Sequence, residues 1–201
     1  MESQSNLFII SDLHFWHKNI IKYCNRPYPC EASSLSFMNE DILKQFDDLP
    51  ESSVVINLGD LLVNSSKTFD DLKQLVERMK FNNKKLLLVM GNHDRELTRF
   101  LRKQSFNSSY KMFLEAGFDR VYDKPFYMDG IIFSHEPVFL NNGMKNCHGH
   151  IHDLVFDKDY FKRERNPINS EVNPRDYFNA CWDMQHRIVN YNEVLEYFFK
   201  N

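Results

Sequence analysis

A chain of 201 residues with a formal net charge of −3 has room for one domain with a substantial core. Nothing in its overall charge draws it onto nucleic acid or a membrane surface. Hydrophobic residues make up 42 % and aromatic residues 14 %, led by 18 Phe and 9 Tyr; this is the balance of a globular protein, and no apolar run approaches the roughly 20 residues of a membrane span.

The opening MESQSNLFII lacks the basic start and long apolar stretch of a signal peptide. A single domain over residues 1–201, working in the cytoplasm without a membrane partner, is therefore expected. Cys24, Cys30, Cys147 and Cys181 form no C-x-x-C pair and are expected as reduced thiols.

In chain order, Leu7 to Ser11 is a short apolar run that reads as a buried strand. Leu35 to Asp48 has helical spacing at Leu35, Met38, Ile42, Leu43 and Phe46. Val54 to Leu58 reads as a second strand, Phe69 to Phe81 as an amphipathic helix, and Lys85 to Met90 as a third strand. Polar helical segments are expected from Arg95 to Gly117, then an extended piece at Arg120 to Tyr122. Further strands are expected at Ile131 to Ser134, Asn146 to His148 and Tyr177 to Trp182. The charged stretch Asp157 to Asp176, with Pro167 and Pro174, reads as a loop or insertion, and Asn192 to Phe199 as a terminal helix. Strands alternating with helices imply a layered α/β domain.

Polar residues able to bind metal recur directly after the apolar runs. They are Asp12 and His14, then Asp60, then Asn92, His93 and Asp94, then His135, then His150 and His152. In an α/β sheet, ligands bind beyond the carboxyl ends of strands, so residues far apart in sequence are expected to converge there. If the backbone stays extended, positions i and i+2 share a direction; Asp12 and His14 would then aim together, as would His150 and His152. The donor set mixes oxygen and imidazole, which suits Mn, Fe, Zn, Co or Ni better than Ca or Mg. Seven donors exceed what one tetrahedral ion takes and suit two ions sharing a carboxylate.

The blocks Asp12-x-His14, Gly59-Asp60, Gly91-Asn92-His93-Asp94, His135 and Gly149-His150-x-His152 together resemble the signature of the calcineurin-like metallophosphoesterases. The segments Phe15 to Ile21 and Asn25-Arg26-Pro27 resemble a small bacterial and phage subgroup, as does the tail from Asn179 to Val194. The resemblance implies a sandwich of mixed sheets flanked by helices. It implies that Asp12, His14 and His152 hold one divalent ion, that Asn92, His135 and His150 hold the other, and that Asp60 bridges them. His93 would stabilise charge or protonate the leaving group, and Asp94 would orient His93. A hydroxide bridging the ions, Mn foremost, would attack phosphorus in line.

Arg26 and His17, with Asn92, are the candidate substrate contacts, Arg26 as a bidentate phosphate clamp. His148 is expected to face away within its strand and His186 to lie in a solvated turn. The run Lys158 to Arg165 could touch a polyanion, but a solvated face is the simpler reading, so a nucleic-acid partner is not favoured. The expected activity is hydrolysis of a small, nucleotide-type or generic phosphodiester. Alternatives are a phosphomonoesterase, a nucleotide pyrophosphohydrolase, or a metal-binding interaction module without turnover.

Overall fold

The computed structural model describes residues 6–29, 33–63, 67–101, 108–141, 143–154, 156–163 and 172–200. The strands in chain order are β1 (Leu7–Ile10), β2 (Val54–Asn57), β3 (Lys85–Val89), β4 (Arg120–Tyr122), β5 (Phe126–Met128), β6 (Ile131–Ser134), β7 (Lys145–His148), β8 (Tyr177–Asn179) and β9 (Val189–Asn190). The helices are α1 (Ile20–Tyr23), α2 (Ser34–Asp48), α3 (Phe69–Met79), α4 (Asn92–Leu101), α5 (Ser109–Ala116), α6 (Tyr160–Arg163), α7 (Trp182–Gln185) and α8 (Tyr191–Phe199).

Two mixed sheets stack with helices outside them. The first has the order β4-β3-β2-β1-β9 and the second β5-β6-β7-β8. The first is parallel except where β9 runs antiparallel to β1, with Ile9 opposite Val189. In the second only the β5–β6 pair is antiparallel.

The strands of the first sheet are apolar on both faces, as a sheet covered on both sides requires. Phe8, Ile10, Val55, Leu86 and Leu88 pack with Met38, Ile42 and Phe46 of α2 and with the apolar stripes of α3 and α5. Their alternates Ile9, Ile56 and Val89 meet Ile131, Phe133 and Cys147 of the second sheet and Tyr191, Val194 and Phe198 of α8. The helix α3 begins at a capping box, in which Thr68 and Asp71 each accept the other's backbone N–H.

Some expectations change. Tyr177 to Trp182 is not one strand, because β8 ends at Asn179 and Trp182 opens a helical turn. The turn follows from local bonding: the Asn179 side chain accepts the Cys181 N–H at 2.9 Å. The stretch Asp157 to Asp176 carries short helical pieces, α6 and a 3₁₀ turn at Pro174–Asp176. Its middle, with Glu164 and Arg165 of the basic run, lies outside the described residues.

Candidate metal centre

The loops after β1, β2, β3, β6 and β7 meet at one end of the sheets and are tied to each other through backbone. Asp12 N donates to Gly59 O at 3.0 Å, His14 N to Asp60 O at 3.0 Å, and Gly149 N to His135 O at 2.8 Å. The expected extended backbone is not what aims the ligands. Asp12 (φ 57°), His14 (51°), Asp60 (51°), His150 (72°) and His152 (51°) all adopt the left-handed region. Single left-handed residues reverse the chain within one position. They thus turn a strand end back toward the site, a geometry that Asp tolerates better than most residues.

The glycines at 91 and 149 serve by lacking bulk. A Cβ on Gly91 would strike the Asp60 carboxylate, and one on Gly149 would strike Ser11 and Asp12.

Asp12, His14 and His152 form one cluster whose donor atoms lie within 4.8 Å of each other. The Asp12 Oδ2 accepts from His150 N at 2.9 Å and from the Cys181 thiol at 3.1 Å. Its Oδ1 is buried without a hydrogen-bond partner, as are both ring nitrogens of His14. His14 Nε2 stands 3.8 Å from Asp12 Oδ1 and 3.8 Å from Asp60 Oδ2. His152 Nε2 stands 4.0 Å from Asp12 Oδ1. These separations are too long for hydrogen bonds but fit donors about 2.1 Å from a common ion. Buried polar atoms without partners are costly, so this pocket fits a cation.

Asp60, His135 and His150 form a second such cluster, and Asn92 joins it. His135 Nε2 lies 3.0 Å from Asn92 Oδ1, 3.1 Å from His150 Nδ1 and 3.5 Å from Asp60 Oδ2. His135 Nδ1 donates to Leu58 O at 2.9 Å, so in the neutral ring the Nε2 lone pair faces the lone pairs of Asn92 Oδ1 and Asp60 Oδ2. A cation resolves that conflict, and without one a proton does. Burial lowers the His135 pKa, but the Asp60 and Asp12 carboxylates outweigh it and push it up to about 9. Asp60 spans the clusters. Its Oδ1 accepts from His93 N at 3.0 Å, while its Oδ2 faces both His14 and His135.

His93 projects over this floor, its side chain 37 % exposed and its Nε2 3.9 Å from Asp60 Oδ2. It also falls within ligand distance of His14 and Asp60. His17 stands at the mouth, its ring 5.5 Å from His14. Burial, then the imidazoles of His14 and His93, lower its pKa to about 4, so the ring is neutral at pH 7. His148 faces away as expected, buried against Phe156 and Tyr177, and His186 is an exposed left-handed cap of α7.

Two expectations are corrected. Asp94 does not reach the His93 ring. Its carboxylate turns to backbone, accepting from Asp60 N at 2.8 Å, Gly91 N at 2.9 Å and Leu61 N at 3.1 Å. Burial and the neighbouring Asp60 charge push its pKa up to about 7 against those donors. Arg26 is no phosphate clamp, for it is 3 % exposed and fully engaged. Its guanidinium grips Asp183 at 2.7 and 3.1 Å and donates to the carbonyls of Asp12 (2.7 Å) and Leu13 (2.9 Å). Asp183 in turn contacts His152 Nδ1 at 2.6 Å. Asp183 and Cys181 escaped the sequence reading, although they stand just past a strand end as the other site residues do.

The chain is similar to several known proteins. A protein of Methanocaldococcus jannaschii described as uncharacterized protein MJ1445 is 29 % identical over 195 residues, covering 96 % of each chain. The crystal structure of the protein of unknown function AQ665 from Aquifex aeolicus superposes with a TM-score of 0.59, covering 94 % of this chain and 97 % of that one. At 22 % identity that likeness speaks for the fold alone. No helix among the described residues is long and apolar enough to cross a membrane. The family model for calcineurin-like phosphoesterases matches residues 5–192, nearly the whole chain, and the protein belongs to that family of metal-dependent phosphoester hydrolases.

Proposed function

We propose that the chain hydrolyses a phosphodiester at a two-ion centre. One ion is held by Asp12, His14 and His152, the other by Asn92, His135 and His150, and Asp60 is shared. The observation that carries this reading is the single oxygen Asp60 Oδ2, which faces His14 of one cluster and His135 of the other. Two divalent ions held there would polarise the phosphoryl group and ionise a water at neutral pH. The mixed nitrogen and oxygen donors favour a transition metal, with Mn the proposed native ion.

The chain's own groups supply the rest. His93 stands partly exposed over the carboxylate floor, placed to give a proton to the departing oxygen. Neutral His17 offers a hydrogen bond to substrate beside His14, and Asn92 is a second candidate contact. The rings of His93 and His152 keep 37 % and 23 % of their surface open. Such an open site suits a small, nucleotide-type diester met in the cytoplasm.

The test is purified protein with Mn, assayed on a chromogenic diester and on the matching monoester. Faster diester hydrolysis supports the reading. Monoester preference points to a phosphomonoesterase or a nucleotide pyrophosphohydrolase, and bound metal with no turnover to an interaction module.

A further inference from the structure

Arg26 and Asp183 are 157 residues apart in sequence yet form a buried ion pair, with Arg26 Nε 2.7 Å from Asp183 Oδ1 and the two side chains 0 % and 1 % exposed. The pair does more than neutralise itself. Asp183 Oδ2 lies 2.6 Å from His152 Nδ1, and a carboxylate there accepts the Nδ1 proton. In the neutral ring that fixes the tautomer in which the Nε2 lone pair faces Asp12 Oδ1. The same guanidinium holds the carbonyls of Asp12 and Leu13, the peptide groups that precede Leu13 and His14. One arginine thus reaches every donor of the Asp12, His14 and His152 cluster. Two are reached through their backbone and the third through Asp183.

We propose that Arg26 and Asp183 are positioning residues for the first ion, setting the direction of the His152 lone pair and the spacing between Asp12 and His14. The proposal rests on the two-ion reading above and adds to it an asymmetry. The second cluster is oriented differently, His135 by the Leu58 carbonyl, and has no contact with this pair among the described residues. A competing use of the same atoms is weak. The Cys24 thiol lies within 4.8 Å of the donor atoms of His152 and Asp183. However, both Asp183 oxygens are already bound and a third cation would sit beside the Arg26 guanidinium.

Carboxylates behind metal-bound histidines typically contribute about 10- to 100-fold to metal affinity. The experiment titrates metal-free protein with Mn, measures ions per chain, and reads the His152 tautomer by ¹⁵N NMR of the metal-free protein at a pH above about 10, where the ring is neutral. Wild type should bind two ions and show a proton on Nδ1 of His152. Asp183→Ala should weaken one ion about 10- to 100-fold, leave the other unchanged, and shift His152 toward the Nε2–H tautomer. Combining Asp183→Ala with Asn92→Ala should weaken both ions. Asp183→Asn, nearly the same size and still able to accept from Nδ1, should recover part of the affinity. It is also the deciding variant if the alanine protein does not fold. Wild type binding two ions, with variants of equal affinity and unchanged tautomer, would overturn this proposal alone. Wild type binding one ion or none would overturn the two-ion reading and this proposal with it.

Discussion

The Asp94 carboxylate accepts the backbone N–H of Asp60 at 2.8 Å, so one acidic residue holds the main chain of another whose side chain faces both metal clusters. Asp94 does the same for Leu61 and Gly91. Removing it strands three buried donors, each worth about 1–3 kcal/mol. Asp94→Ala is therefore expected to lose at least about 3 kcal/mol of stability in denaturant unfolding, with weaker metal binding. Asp94→Asn should recover only part, because its amide NH₂ cannot accept. Unchanged stability of the alanine variant would show that these three hydrogen bonds carry little of the stability of the fold.

Metal dependence is the first expectation for turnover. Chelator treatment should abolish hydrolysis, Mn should restore it, and Mg alone should restore little, because four of the seven proposed donors are imidazole. Full activity in protein shown by elemental analysis to hold no metal would rule out the two-ion centre.

The shared carboxylate should be the least replaceable ligand. Asp60→Ala removes the oxygen that faces both His14 and His135. It is expected to lose one or both ions and nearly all turnover while circular dichroism remains that of a folded protein. Two ions per chain and a normal rate in this variant would remove Asp60 from the bridge.

His93 separates chemistry from metal binding. Its backbone N–H bonds Asp60 Oδ1, a contact that survives truncation of the ring. His93→Ala should therefore retain both ions and lower kcat by about 10²- to 10⁴-fold. The loss should be greater for esters with poor leaving groups than for nitrophenyl esters. Loss of an ion instead would make His93 a ligand, a role its distance to Asp60 also permits.

Much of this was legible in the sequence. The buried strands announced themselves as unbroken apolar runs, and the candidate metal donors as polar residues after each run. What stayed hidden depended on direction and on long-range partners. The extended-backbone argument brought Asp12 and His14 together for a wrong reason, because strand periodicity ends where the left-handed residues begin. Arg26 looked like a phosphate clamp because its partner, Asp183, arrives from the far end of the chain. The short strand β5 carried a signal that went unread. Asp129-Gly130, both at positive φ, form the two-residue turn that pairs Phe126–Met128 with β6. The two-residue strand β9 has too few positions to show any period.

The left-handed backbone at the candidate ligands would leave a trace that outlasts the proposed catalysis. At 12, 14, 60, 150 and 152 the backbone adopts a conformation that glycine accepts freely and that strains most other residues. At His14, whose ring nitrogens have no hydrogen-bond partner, the proposed chemistry is what accounts for the imidazole, whereas Asp12 and Asp60 also hold the backbone N–H groups of His150 and His93. A descendant released from metal binding could therefore exchange His14 for glycine with relief of backbone strain. Such a glycine, in an otherwise intact chain, would mark a lineage that kept the scaffold and abandoned the reaction.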